Sequence, residues 1–272
     1  MITPNDRVIL PVGLEIDGVR YKKVTIQEMN GYDEENLASR KVRNNGAKAQ
    51  TILLRRCIQE IEGLVPKKTN PNELIKEDYL LKMCSYDRDY LFFCIRSLGG
   101  VPDLDFQYEC PHCEAINNQT ISVEDLEVYE WPEAEPMEIP FSMKNGLYEN
   151  DQMHTEGTWK FLTGKQQEEI AKVSNERIVN ASMRMCIKKI GEITSPTEEQ
   201  FKRLSTSERN DLLEQVANEA PGVQTSLWFE CENCGESTEQ ALDISRFFKS
   251  PARTKNKPMP SGKRTRRTLR TH

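Results

Sequence analysis

Phe106-Gln-Tyr-Glu-Cys110-Pro-His-Cys113 and Leu227-Trp-Phe-Glu-Cys231-Glu-Asn-Cys234 stand 121 residues apart, and each is a β-like run that ends in a C-x-x-C pair. The match extends without a gap: Arg88 falls on Arg209, Leu91 on Leu212, Ile121 on Leu242, Val123 on Ile244 and Leu126 on Phe247. At slightly different offsets, Arg55-Arg-Cys57-Ile-Gln-Glu-Ile61 resembles Arg184-Met-Cys186-Ile-Lys-Lys-Ile190, and the segment from Met29 to Ala38 resembles that from Leu162 to Ala171. These landmarks keep their order. The reading is an α+β fold built as a tandem duplication of a hairpin–helices–strand–C-x-x-C–strand unit. Neither half holds a second cysteine pair or a suitably spaced histidine, so each half supplies half a site. The two lobes are expected to join at one structural zinc held by Cys110, Cys113, Cys231 and Cys234.

A single C-x-x-C is weak evidence, but two in the same aromatic-Glu context are strong. The alternatives are a pair of vestigial knuckles without metal and a thioredoxin-like redox motif. The redox reading lacks the strand-then-helix context that it requires. Cys57, Cys84, Cys94 and Cys186 lie in apolar helical patterns, where free cysteine acts as a small hydrophobe. The start of the chain has no secretory pattern, so thiols and metal fit better than disulfides.

The chain of 272 residues is only 37% hydrophobic and 7% aromatic, so much of its surface is expected to be charged or covered by neighbouring subunits. No apolar run reaches the length of a membrane span. Charge is uneven. Nine of the 37 basic residues and none of the 43 acids lie after Phe248, which leaves residues 1–248 at −15.

The boundaries read as a first lobe over 1–130, a Pro-rich joint over 131–140, a second lobe over 141–248 and an extended basic tail over 249–272. Asp17-Gly18 between two β-like runs predicts a hairpin, and Asn145-Gly146 predicts the one that opens the second copy. Helices are expected over 33–43, 47–61, 77–83 and 87–98, the last ending at Gly99-Gly100. Thr163 with Gln166 reads as a capping box, and Ser195 and Ser205 each precede a Glu three residues on. His112 reads as exposed and His154 as lying in a polar loop. In the tail, Arg253, Lys255, Lys257, Lys263, Arg264, Arg266, Arg267 and Arg270 are the candidate partner-binding cations.

No nucleophile elbow, phosphate loop, dinucleotide fingerprint or H-E-x-x-H run occurs. A zinc with four cysteine ligands leaves no open position for water. Asp33-Glu-Glu and Glu168-Glu169 read as exposed helix starts that complement the helix dipole. The sequence points away from an enzyme and from a small-molecule substrate.

Several segments carry a family resemblance. Gly31-Tyr-Asp-Glu-Glu-Asn-Leu-Ala, Leu53-Leu-Arg-Arg-Cys-Ile, Tyr86-Asp-Arg-Asp-Tyr-Leu, the first knuckle, Phe161-Leu-Thr-Gly-Lys, Pro221-Gly-Val, the second knuckle and Arg246-Phe-Phe occur in order over about residues 20–248. Together they resemble the T-even-type bacteriophage baseplate hub family. Lys249-Ser-Pro251 departs from the aromatic-Pro ending typical after Phe-Phe, and the basic tail looks like an addition. The resemblance implies a structural or assembly component of a contractile tail baseplate, with other baseplate, hub or tape-measure proteins as partners. It places the chain in the host cytoplasm during assembly and then in the tail. The rival reading is a zinc-ribbon nucleic-acid adaptor whose tail binds phosphates. Against it, Glu109, Glu114, Glu230, Glu232 and Glu236 flank the cysteines where basic residues would favour nucleic acid.

Overall fold

The computed structural model describes residues 1–38, 45–70, 73–173 and 175–242. The basic tail over 249–272 with its eight candidate cations, and the end of the helix expected to run to Arg43, lie outside the described residues.

The fold is mixed α and β. Strands β1 (Arg7–Ile16) and β2 (Val19–Ile26) form a hairpin whose turn residues Asp17 and Gly18 have φ of 51° and 78°. Helices α1 (Gly31–Ala38) and α2 (Gly46–Cys57) follow, then β3 (Ile58–Ile61), which pairs antiparallel with β2. Helices α3 (Glu77–Lys82) and α4 (Ser85–Leu98) lead to the antiparallel pair β4 (Asp103–Glu109) and β5 (Ile116–Ser122). A short strand, β6 (Val128–Tyr129), ends this stretch.

From Glu138 a similar order of elements follows. Strands β7 (Glu138–Glu149) and β8 (Gln152–Lys160) pair, and helices α5 (Gly164–Ile170) and α6 (Asn175–Cys186) lead to β9 (Ile187–Ile190) on β8. A short β10 (Ile193–Thr194) extends this sheet to the order β10-β9-β8-β7. Helices α7 (Glu198–Lys202) and α8 (Thr206–Glu219), strand β11 (Gly222–Val223) and the pair β12 (Ser226–Glu230) and β13 (Ser237–Ala241) complete it. β11 pairs with β6, so a two-stranded ribbon joins the halves.

The structure corrects four local expectations. The helix predicted over 47–61 stops at Cys57. The β-branched Ile58 turns extended, and its N–H still closes the last turn onto Leu54 O before the chain joins β2. Asn145-Gly146 is not the hairpin turn; Asn150 and Asp151, at φ of 50° and 58°, make that turn. Asn145 and Gly146 instead form a bulge inside β7, between the paired residues Ser142 and Leu147. The cap of α7 is Thr197 with Gln200 rather than Ser195. His154 lies buried in β8 with its ring against Gly191.

Both first strands bulge, and a helix acid stabilises each bulge. Asp87, fully buried in the first turn of α4, accepts the N–H groups of Val12 and Gly13 at 2.8 Å each. Glu208, in the first turn of α8, accepts those of Asn145 and Gly146 at 2.7 and 2.9 Å. A bulge leaves N–H groups outside the ladder, and a buried donor without an acceptor costs about 1–3 kcal/mol. One carboxylate satisfies two such donors. Gly13 and Gly146 have φ of 103° and 65°, the left-handed conformation that glycine supplies without strain.

The core is two apolar clusters that exchange members. One is built around Leu53, Leu54, Leu91 and Phe93, and it takes Leu242 from the end of the second half. The other is built around Trp159, Ile187, Phe201 and Leu212, and it takes Val12 and Cys84 from the first half. Burying each such side chain contributes ~1.5–3 kcal/mol.

Arg88 on α4 ties three further segments together and is fully buried. It donates from Nη1 to Leu80 O, from Nη2 to Ala47 O and Thr51 Oγ1, and from Nε to Gln167 Oε1 of the second half, at 2.8–3.0 Å. Burial lowers its pKa to about 10, so the guanidinium stays charged at neutral pH. Around it, α5 packs onto α2 and α3. Glu168 accepts from Thr51 Oγ1 at 2.6 Å and pairs with Lys48 at 3.7 Å, while its carbonyl accepts from Asn45 Nδ2. Asp33 is likewise 5% exposed and pairs with Arg56 at 2.9 Å. Asp33 and Glu168 thus depart from the exposed helix starts expected for them, because both face α2, whereas Glu35 and Glu169 are exposed.

Candidate metal centre

The two knuckles are built alike. In the first, Cys110 N–H donates to Ala115 O and Glu114 N–H to Cys110 O, both at 2.9 Å. In the second, Cys231 N–H donates to Glu236 O at 3.0 Å and Gly235 N–H to Cys231 O at 2.9 Å. Each turn closes through a left-handed residue, Glu114 at φ 58° and Gly235 at φ 73°. The strands behind them pack through aromatic rings: Phe229 lies 4.9 Å from Phe106 and 5.9 Å from Tyr108, centroid to centroid. That contact places the knuckles face to face.

All four sulfurs converge. Cys110 Sγ lies 3.8 Å from Cys234 Sγ, and Cys113 Sγ lies 3.7 Å from Cys231 Sγ. All four sulfurs fall within 4.8 Å of one another. Zinc–thiolate bonds of about 2.3 Å in a tetrahedron set sulfur–sulfur edges of ~3.8 Å. The four cysteines therefore lie close enough to hold one metal ion, and the set is compatible with zinc. Cys110 and Cys231 are buried, whereas Cys234 is exposed.

The surroundings favour thiolates. Asn117, buried on β5, donates from Nδ2 to Cys231 Sγ at 3.4 Å, while its Oδ1 accepts Glu232 N–H of the opposite knuckle at 3.0 Å. Asn233 Nδ2 reaches back to Cys113 Sγ at 3.5 Å. The backbone N–H groups of Cys234 and Asn233, with the Asn117 amide, lower the Cys231 pKa to about 6. The Asn233 amide and the backbone N–H of Ala115 lower that of Cys113. Cys234 goes the other way. The Glu236 N–H lowers it, but desolvation and the three neighbouring sulfurs outweigh this and push it up to about 12. Four thiolates repel one another unless a dication sits among them. The donor set fits a soft divalent ion.

The structure brings together all four cysteines singled out from the sequence. His112 is exposed between two of them. The sequence reading missed Asn117 and Asn233, which each reach across to the opposite knuckle. Asn233 was legible only as one of the two residues between cysteines. Asn117 carried no signal, because its partner lies 115 positions away.

The stretch over 131–135 is held against the first hairpin. Arg20 donates to the carbonyls of Pro132, Glu133 and Glu135, and Trp131 N–H to Pro11 O. Among the described residues, no helix is long and apolar enough to cross a membrane.

No curated protein and no solved structure matches the chain. A family model described as "T4 bacteriophage base plate protein" matches residues 14–249, which takes in the end of β1, the whole second hairpin and both knuckles. This chain belongs to the T4 bacteriophage base plate protein family.

Proposed function

We propose that the protein is a non-enzymatic structural or assembly component of the hub region of a contractile tail baseplate, stabilised by one structural zinc. The observation that carries the reading is the convergence of four sulfurs from opposite halves of the chain on one point. Cys110, Cys113, Cys231 and Cys234 would hold the ion, which supplies cross-linking and no reactive position. Two segments more than a hundred residues apart are then clamped, where loop-closure entropy makes a cross-link most stabilising. The body becomes stiff enough to dock onto other baseplate subunits.

We also read the two halves, over 1–130 and 141–248, as copies of one ancestral unit joined by the stretch over 131–140. The paired bulge acids Asp87 and Glu208 support this, since the same chemistry recurs at the same sequence offset as the cysteines. The basic tail over 249–272 is then the segment that seeks an acidic groove on a hub or tape-measure subunit. The site of action is the host cytoplasm during assembly and the tail afterwards.

Cryo-electron microscopy of tails and tail intermediates tests the placement. Density for this chain at the centre of the baseplate is expected in at least one of them. Its absence from every intermediate and from the finished tail contradicts the reading.

A further inference from the structure

Superimposing the two halves by sequence offset leaves one contact without its counterpart. In the first half, α2, α3 and α4 receive α5. Gly164 lies so close that a Cβ there would sit 2.5 Å from Leu80 O and from Arg88 Nη1, and Gln167 satisfies Arg88 Nε. Glu168 satisfies Thr51. In the second half, the matching residues are Phe201 for Leu80, Asn180 for Thr51 and Arg209 for Arg88. They are arranged alike: Arg209 Nη1 donates to Asn180 Oδ1 at 2.8 Å, and its guanidinium lies 6.0 Å over the Phe201 ring. Among the described residues, however, no helix covers them. A groove of about 430 Å³ opens there, lined by Asn180, Ala181, Arg184, Phe201 and Lys202 among others. Arg209 Nε is buried and has no hydrogen-bond partner. It is the atom that corresponds to the Arg88 nitrogen bonded by Gln167.

The missing helix exists elsewhere on the same chain. α1 matches α5 position for position: Asn30 caps it where Thr163 caps α5, Gly31 stands for Gly164, and Glu35 for Glu168. Gly164 is pressed into its groove, but a Cβ on Gly31 would meet nothing within 4 Å, and Glu35 is exposed. Asp33 and Leu37 hold one face of α1 on its own chain, but the edge with Gly31 and Glu35 is open, so each chain presents one open helix edge and one unfilled groove. Arg184 and Lys202 line the groove together with Glu198, and α1 exposes Glu35.

We infer that copies of this chain associate head to tail, with α1 of one copy seated in the α6–α7–α8 groove of the next. The contact repeats between chains the one that α5 makes within a chain. It is heterologous, so it closes a ring or grows until something caps it. It goes beyond the baseplate reading and stands without it. An eight-residue helix buries a small area, as weak and transient interfaces do.

The test uses two full-length variants. Gly31→Trp blocks the helix in open space, and Ala181→Trp fills the groove. Wild-type chain is expected to exceed monomer mass in sedimentation at micromolar concentrations, while each variant alone stays monomeric. Mixed in equal amounts, the variants retain one working helix and one working groove between them, so they form a 1:1 pair and nothing larger. If Ala181→Trp does not fold, Lys202→Trp at the exposed rim replaces it. A wild type that stays monomeric, variants that associate like wild type, or a mixture that does not pair each overturns the inference.

Discussion

Asp87 is a buried carboxylate whose charge is held by two backbone N–H groups, and burial still raises its pKa from 3.8 to about 6. The folded state therefore holds this proton more tightly than the unfolded chain does. The stability that Asp87 contributes is fully present below its unfolded pKa and is lost as pH rises through the folded value. A shift of this size corresponds to at most ~3 kcal/mol. Asp87→Asn is expected to flatten the decline between pH 4 and 6 in urea titrations compared with wild type. It also lowers stability at pH 7 by about 1–2 kcal/mol, because Val12 and Gly13 donate to different carboxylate oxygens and the amide nitrogen that replaces one of them cannot accept. At Gly146, any Cβ would meet the backbone of His154 at a left-handed φ. Gly146→Ala is expected to cost about 3 kcal/mol, the sum of backbone strain and a contact that cannot give. Thermal melts check this. A loss below one kcal/mol means that the bulge is not rigid.

At the level of elements, Arg88 and Arg209 occupy equivalent helix positions with unequal surroundings. Arg88 is enclosed with Ala47, Thr51, Leu80 and Gln167 as partners, and Arg88→Ala strands those acceptors. Its expected cost is about 3–5 kcal/mol. Arg209 is partly exposed with Nε unpaired, and its removal is expected to cost ~1 kcal/mol in the monomer. Chemical denaturation of both variants gives the contrast, and equal losses contradict it. The sequence revealed the 121-residue match of these arginines but not their inequality. Arg88 is knotted because α5 arrives from 79 positions away. Local pattern explains the other gains and misses. The Asp17-Gly18 turn was legible because its chemistry is contained in two residues. Asn145-Gly146 carries the same turn chemistry, yet Glu208 captures its N–H groups and makes it a bulge. Helical spacing through Ile58–Ile61 was overridden by pairing with β2, a tertiary effect that no window of sequence contains.

For the whole molecule, the sulfur cluster is a further point where the two halves converge, beside apolar clusters that already exchange members. The β6–β11 ribbon, the rings of Phe106, Tyr108 and Phe229, and the paired asparagines are among the contacts that bridge the halves there. The four cysteines were legible in the sequence because a repeated C-x-x-C pair is a fixed residue type at a fixed spacing. The asparagines were not, since hydrogen bonds to sulfur leave no pattern. Ligand thiols must be deprotonated to bind an ion, so metal affinity falls as pH drops. Chelation is expected to lower the melting temperature and to free both knuckles to hydrogen exchange before the rest of the body. The most direct measurement is the metal content of the purified chain by native mass spectrometry, with Cys110→Ser and Cys231→Ser beside wild type. One zinc per wild-type chain, lost on substitution in either half, is the expected result. Less than half an equivalent in wild type, or an ion that survives the loss of one half's cysteine unchanged, contradicts a single centre shared by both halves.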